Sequence, residues 1–207
     1  MLKRTKGRIL LTLLVITGFA GTLNNNTLTK QERKFIVGHL KETKTDLFRS
    51  VKDLSEAQLN FRQSSDRWSI KECFYHLTLA ENGLWTMLEG SMKGPATPEK
   101  RMEVKLSDED LLKAITNRGK KSKAPEPFQP AKAGWKSMNE ALSAFKTSRL
   151  QHLKYAKTTT EDLRSHFIQL SFGWIDCYQF MIFMSAHSNR HTQQIAEIMA
   201  DPDFPKK

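Results

Sequence analysis

Cysteine is nearly absent from this chain: Cys73 and Cys177 are the only two in 207 residues. That excludes a disulfide-rich scaffold. Glycine and proline are sparse, at 10 and 7 residues, and alternating apolar–polar runs are missing, so no convincing strand and no internal repeat can be read. Only one long apolar run exists, and it lies at the N-terminus. Aromatic residues make up 9% and do not interleave with the basic ones. The formal charge of +11 is therefore read as a solvated basic surface spread along helices and one loop, without expectation of nucleic-acid binding. Four of these charges belong to Lys3, Arg4, Lys6 and Arg8, which leaves +7 on the rest. At 39% apolar and 27% charged, the chain suits one domain with one sizeable core.

The N-terminal run follows a basic segment. "MLKRTKGR" and "ILLTLLVITGFA" have the form of an export signal, with Gly18 and Ala20 as the small residues before a cut after Ala20. The run is short for a membrane span. We expect residues 1–20 to be a signal peptide, with an uncleaved N-terminal anchor as the alternative, residues 21–28 a linker, and 29–201 the folded domain. The mature protein is expected in the periplasm or outside the cell, without stable membrane insertion.

Helix starts are well signed. "TKQE" (Thr29 to Glu32), "SEAQ" (Ser55 to Gln58) and "SIKE" (Ser69 to Glu72) are capping-box patterns, a hydroxyl followed three residues later by Glu or Gln. The first long helix should run to about Leu54, the second from Ser69 to about Glu89. A shorter helix should follow "SDED" and end near Asn117. "RGKKSKAPEPFQPAKAG" reads as a loop. The third long helix should span about Ser137 to Ala156, and the fourth Trp174 to Met199, ahead of the Asp201–Pro202 stop. "SHFIQLSFG" reads as irregular. Four long helices make an all-α, four-helix bundle. In that register Cys73 and Cys177 should sit roughly 13 Å apart along the bundle axis, too far for a disulfide.

"HSNRHTQQI" carries two histidines, His187 and His191, four residues apart. This spacing puts both imidazoles on one helix face. Such a pair can grip a metal ion, and it can also arise on a solvated face. His76 lies two turns into the second long helix among Phe74, Leu77 and Leu79, where it either bonds within the core or points at a ligand. Together the three would form an imidazole set with positions left open, as catalytic metal sites have. Gln194 lies seven residues after His187 on nearly the same face and could orient a ligand. Arg190 should point to solvent or pair with an acid. Glu72 is most simply the capping partner of Ser69, Trp68 a packing anchor, and His39 and His152 ordinary helix residues. His166, ahead of the last helix, could line a pocket mouth. No residue presents itself as a general base.

"RWSIKECFYHL" and "FGWIDCYQFMIFMSAHSNRHTQQIAEI" resemble the corresponding segments of the DinB-like, YfiT-like metalloenzymes, in content, order and separation. The similarity covers roughly residues 30–200. It implies an up-down-down-up bundle, with additional short helices, and a three-histidine metal site at His76, His187 and His191. Zinc is the first expectation and nickel the second. Relatives include small-thiol transferases, a thiol-dependent isomerase and metal-dependent hydrolases. The resemblance thus implies a hydrolase or group transferase acting on a small molecule, with a non-catalytic metal- or ligand-binding bundle as the alternative. A homodimer is left open. Export argues against the thiol-transferase reading, because small-thiol cofactors are chiefly cytosolic.

Overall fold

The computed structural model describes residues 27–119 and 123–206. The expected signal peptide and most of the linker lie outside the described residues. No described helix is long and apolar enough to cross a membrane.

Six α-helices carry the fold: α1 (Lys30–Ser50), α2 (Glu56–Asn60), α3 (Ile70–Lys93), α4 (Asp108–Thr116), α5 (Met138–Thr158) and α6 (Cys177–Met199). The side chains of Thr29, Ser55 and Ser69 accept from the N3 backbone, and each N3 Glu or Gln reaches back, completing all three capping boxes. Each closes two backbone donors that the first helical turn cannot satisfy by itself. Three short 3₁₀ turns, Pro98–Glu103, Glu126–Phe128 and Pro130–Lys132, occupy the connections on either side of α4.

The last long helix begins later than its aromatic content suggested. Residues Phe167–Leu170 (β1) and Gly173–Asp176 (β2) pair as an antiparallel hairpin, where the sequence had suggested an irregular stretch and the start of a helix. Gly173 has φ +130° just after the turn, a conformation that side chains resist. The helix starts at Cys177 because Asp176 caps it: its carboxylate accepts from Gln179 N at 2.7 Å while the Gln179 side chain returns to the Asp176 backbone. Asp-x-x-Gln is a fourth capping box.

The four long helices form a square in which α1 touches α5 and α6, and α3 touches the same two. Arg33 near the start of α1 donates to the carbonyls of Ala156 and Thr159 at the end of α5, both at 2.8 Å, so α1 and α5 run oppositely. Tyr178 at the start of α6 reaches the Glu32 carbonyl, so α1 and α6 run together. Phe74 meets Phe145, and Trp85 meets Tyr155, so α3 and α5 run together. The order is up-down-down-up. α4 packs along the outside of α6.

The core is divided. One apolar cluster gathers Ile36, Leu40, Leu84, Leu88, Phe180 and Met184; the other gathers Leu47, Phe74, Leu77, Phe145 and Ile195. Between them along each helix lie buried polar residues: Thr43 on α1, Glu81 on α3, Arg149 and His152 on α5, Ser185 and Ser188 on α6. Arg149 is fully buried. It donates to both Glu81 carboxylate oxygens (2.5 and 2.7 Å), to Thr43 Oγ1 (3.0 Å), to the Leu40 carbonyl (3.2 Å) and to Ser188 Oγ (2.7 Å). One side chain thus ties α5 to the other three helices. His152 Nδ1 lies 2.7 Å from the same carboxylate and stacks on Trp85, so it is not an ordinary helix residue.

A second cationic hub joins the ends of elements. Arg164 binds Glu32, Asp108 and Asp176 at 2.6–3.0 Å and lies over the Tyr178 ring. Both cysteines are buried and free.

Candidate metal centre

The capped start of α3 fixes where His76 falls, and the later start of α6 still leaves His187 and His191 mid-helix. Because α3 and α6 are antiparallel neighbours, the three imidazoles meet. Their nearest ligand atoms all lie within 4.8 Å of one another, and they form the one histidine, cysteine or carboxylate cluster of this kind among the described residues. His187 Nε2 is 3.2 Å from His76 Nε2 and 3.2 Å from His191 Nε2.

The other ring nitrogens define what those Nε2 atoms are. His76 Nδ1 is 2.7 Å from the Phe128 carbonyl. A carbonyl only accepts, so Nδ1 carries the proton and Nε2 a bare lone pair. His191 Nδ1 is 2.9 Å from Gln194 Oε1. The same oxygen faces Arg118 Nη1 at 3.5 Å, which fixes it as the amide oxygen and gives His191 the same tautomer. His187 Nε2 therefore faces two bare lone pairs. A single proton on it can satisfy one of them, and the other stays uncompensated. A cation between the rings satisfies all three.

Protonation is not the remedy. Burial, then the neighbouring His76, lower the His187 pKa. Burial, then His187 and His76, hold His191 well below the ordinary imidazole value, and burial lowers His76. Neutral imidazoles are what a metal needs. The two 3.2 Å separations from His187 Nε2 also suit a shared ion, because ligands about 2.0–2.1 Å from one zinc stand about 3.3–3.4 Å apart at tetrahedral angles.

The surroundings are aromatic. Trp68 lies against His76 and His191, with ring centroids 4.9 and 6.3 Å apart, and Phe183 stacks on His187 at 5.9 Å. His76 and His191 are buried, while His187 is partly exposed. No carboxylate belongs to the described cluster. Glu197 instead receives Arg118 in two bonds of 3.0 and 2.8 Å.

Other expected residues fall variously. Gln194 stands beside the centre. Glu72 closes the Ser69 capping box. Arg190, partly exposed, donates to the backbone carbonyls of Ile115 and Asn117, docking α6 on the end of α4. His166 is remote from the centre: its Nδ1 bonds the Ser91 carbonyl near the far end of α3. The reading of the loop after α4 as plain connection missed Phe128, whose backbone orients His76. A carbonyl leaves no mark in residue type, so the one available signal was the proline-bracketed phenylalanine.

This fold and site define a class, the four-helix bundles that present three histidines from two facing helices. The chain belongs to the DinB superfamily, whose model matches residues 39–195 and so includes all three histidines. It is 27% identical over 162 residues to the uncharacterised protein YuaE of Bacillus subtilis (strain 168), covering 76% of this chain and 93% of that one. The structure of YfiT from Bacillus subtilis, described as a probable metal-dependent hydrolase with an unusual four-helix bundle topology, superposes with a TM-score of 0.59 at 14% identity. That likeness covers 84% of this chain and 89% of YfiT.

Proposed function

We propose that this protein is an exported metal-dependent enzyme, a hydrolase or group transferase acting on a small molecule. In this reading His76, His187 and His191 hold one divalent ion through Nε2. The observation that carries it is the convergence of three Nε2 atoms, two of which, on His76 and His191, are held as bare lone pairs facing the third on His187. Zinc is the first choice and nickel the second, because imidazole donors accept both.

A divalent ion held there supplies Lewis acidity, which makes a water or a substrate thiol nucleophilic near neutral pH. The chain's own part is to orient and to exclude. Phe128 and Gln194 fix the rings of His76 and His191, Trp68 and Phe183 shield the rings, and the partly exposed His187 marks the side from which a substrate approaches. Export rests on the N-terminal sequence pattern and disfavours a cytosolic thiol as co-substrate.

A second reading follows from the acid-base inventory. Glu81, the carboxylate whose charge reaches His187, is held by Arg149 and His152, and a base tied up in this way suits a non-catalytic metal- or ligand-binding bundle. The test is to purify the protein without a histidine tag and measure bound metal, then assay ester, amide and thiol-transfer substrates with and without chelator. Stoichiometric metal with chelator-sensitive turnover supports the enzyme. Stoichiometric metal without turnover of any of the three classes favours the binding bundle. Weak, sub-stoichiometric metal unchanged in His76→Ala and His191→Ala refutes the site.

A further inference from the structure

We infer that the Phe128 segment, between α4 and α5, is a positioning clamp for the three-histidine centre and that Gly83 is the seat on which it closes. The inference rests on the metal-centre reading for its purpose, though not for its geometry.

Gly83 sits inside a 24-residue helix, where glycine is unfavourable by about 1 kcal/mol relative to alanine. Its backbone is ordinary helix with no positive φ, so conformational freedom does not explain it. Space does. A Cβ built at Gly83 would lie 2.9 Å from Phe128 Cζ and closer still to Cε1. The Phe128 ring therefore lies directly on the helix backbone. Gly83 follows His76 by seven residues, two turns on nearly the same face. Phe128 thus touches α3 at two levels, with its ring on Gly83 and its carbonyl on His76 Nδ1 at 2.7 Å.

The segment is stiff. Pro125, Pro127 and Pro130 restrict its φ angles, its 3₁₀ turns pack on α3, and the Gln129 side chain ties back to the Ala124 carbonyl at 2.5 Å. Arg118, at the other end of the same connection, faces Gln194, the partner of His191. The connection therefore supplies the outer partner of His76 directly and meets that of His191, Gln194, at its edge. Ligand histidines need such partners, and their loss typically weakens metal binding by about 10- to 100-fold.

A swap of volume across the contact tests the clamp. Gly83→Leu should lift the Phe128 ring and its carbonyl off α3. Zinc affinity, measured by chelator competition on the full chain, should fall by about 10- to 100-fold. In the metal-free protein, ¹⁵N NMR should show His76 losing its fixed Nδ1-protonated form, a signature that a purely structural role would leave unmoved. Adding Phe128→Ala vacates the space the new side chain needs and should restore affinity to within about threefold of the parent. Gly83→Ala gives the same readouts in graded form should Gly83→Leu fail to fold. A Gly83 variant that binds zinc within about twofold of the parent with His76 unchanged overturns the clamp, as does a loss that Phe128→Ala leaves unrescued. If the parent protein itself binds neither zinc nor nickel, the metal reading fails separately, and the metal-free His76 tautomer still decides the clamp.

Discussion

Arg149→Ala should be among the most damaging single substitutions in this protein. Arg149 is fully buried and bonds two Glu81 oxygens, Thr43, Leu40 and Ser188. Truncation leaves the Glu81 carboxylate, itself 3% exposed, with His152 as its remaining described side-chain partner. Thr43 and Ser188 keep alternatives, since they also bond the His39 and Met184 carbonyls. The dominant loss is therefore the uncompensated buried charge, about 3–5 kcal/mol. For a domain of this size that corresponds to a melting point lower by about 6–20 °C. The assay is thermal and urea unfolding with chelator present, so that metal linkage does not contribute. Arg149→Met combined with Glu81→Gln removes both charges, keeps a partner for His152, and should recover part of the loss. A melting point for Arg149→Ala within about 2 °C of the parent would refute the argument that the ion pair spans and secures the divided core.

Metal should stabilise the fold by mass action: zinc at about 100 times its Kd should add about 2.7 kcal/mol, or about 5–11 °C, and His191→Ala should abolish the shift while leaving the helical spectrum intact. Stability should also fall in acid. Burial would raise the Glu81 carboxyl, but the charge and hydrogen bonds of Arg149, with His152, outweigh it and hold the pKa at about 2. A depressed folded pKa gives stability that is fully present above the unfolded value, near 4.5, and is lost as pH falls toward 2. Unfolding free energies measured from pH 6 to 2 should show this slope, and Glu81→Gln should flatten it. Burial pushes the Cys73 thiol up to about 12 and the Cys177 thiol up to about 11; a thiol reagent should therefore label neither in the native protein and both in denaturant. A chain beginning at Leu23 should fold cooperatively, because the Thr29 capping box starts α1 without the apolar run; aggregation or loss of cooperativity on truncation would assign that run to the core.

The features legible in the chain were those written within a few residues. Capping boxes at Thr29, Ser55 and Ser69 reach three positions ahead, and the His187–His191 pair needs one helical turn. The hairpin at Phe167–Asp176 was missed because its strands are four residues each, too short for alternation to stand out beside the aromatic start of α6, and because Asp176 was not read as a cap. The two features that make the site chemical were set elsewhere. Which nitrogen of His76 and His191 carries a proton depends on the Phe128 carbonyl, 52 residues away, and on Gln194 facing Arg118 across 76 residues. The Glu81–Arg149–His152 network pairs α3 with α5 across 68 and 71 residues. Helical periodicity says which residues share a face. Only the packing of four helices at one level decides which faces meet, and a buried charge becomes tolerable only where that packing delivers its partner.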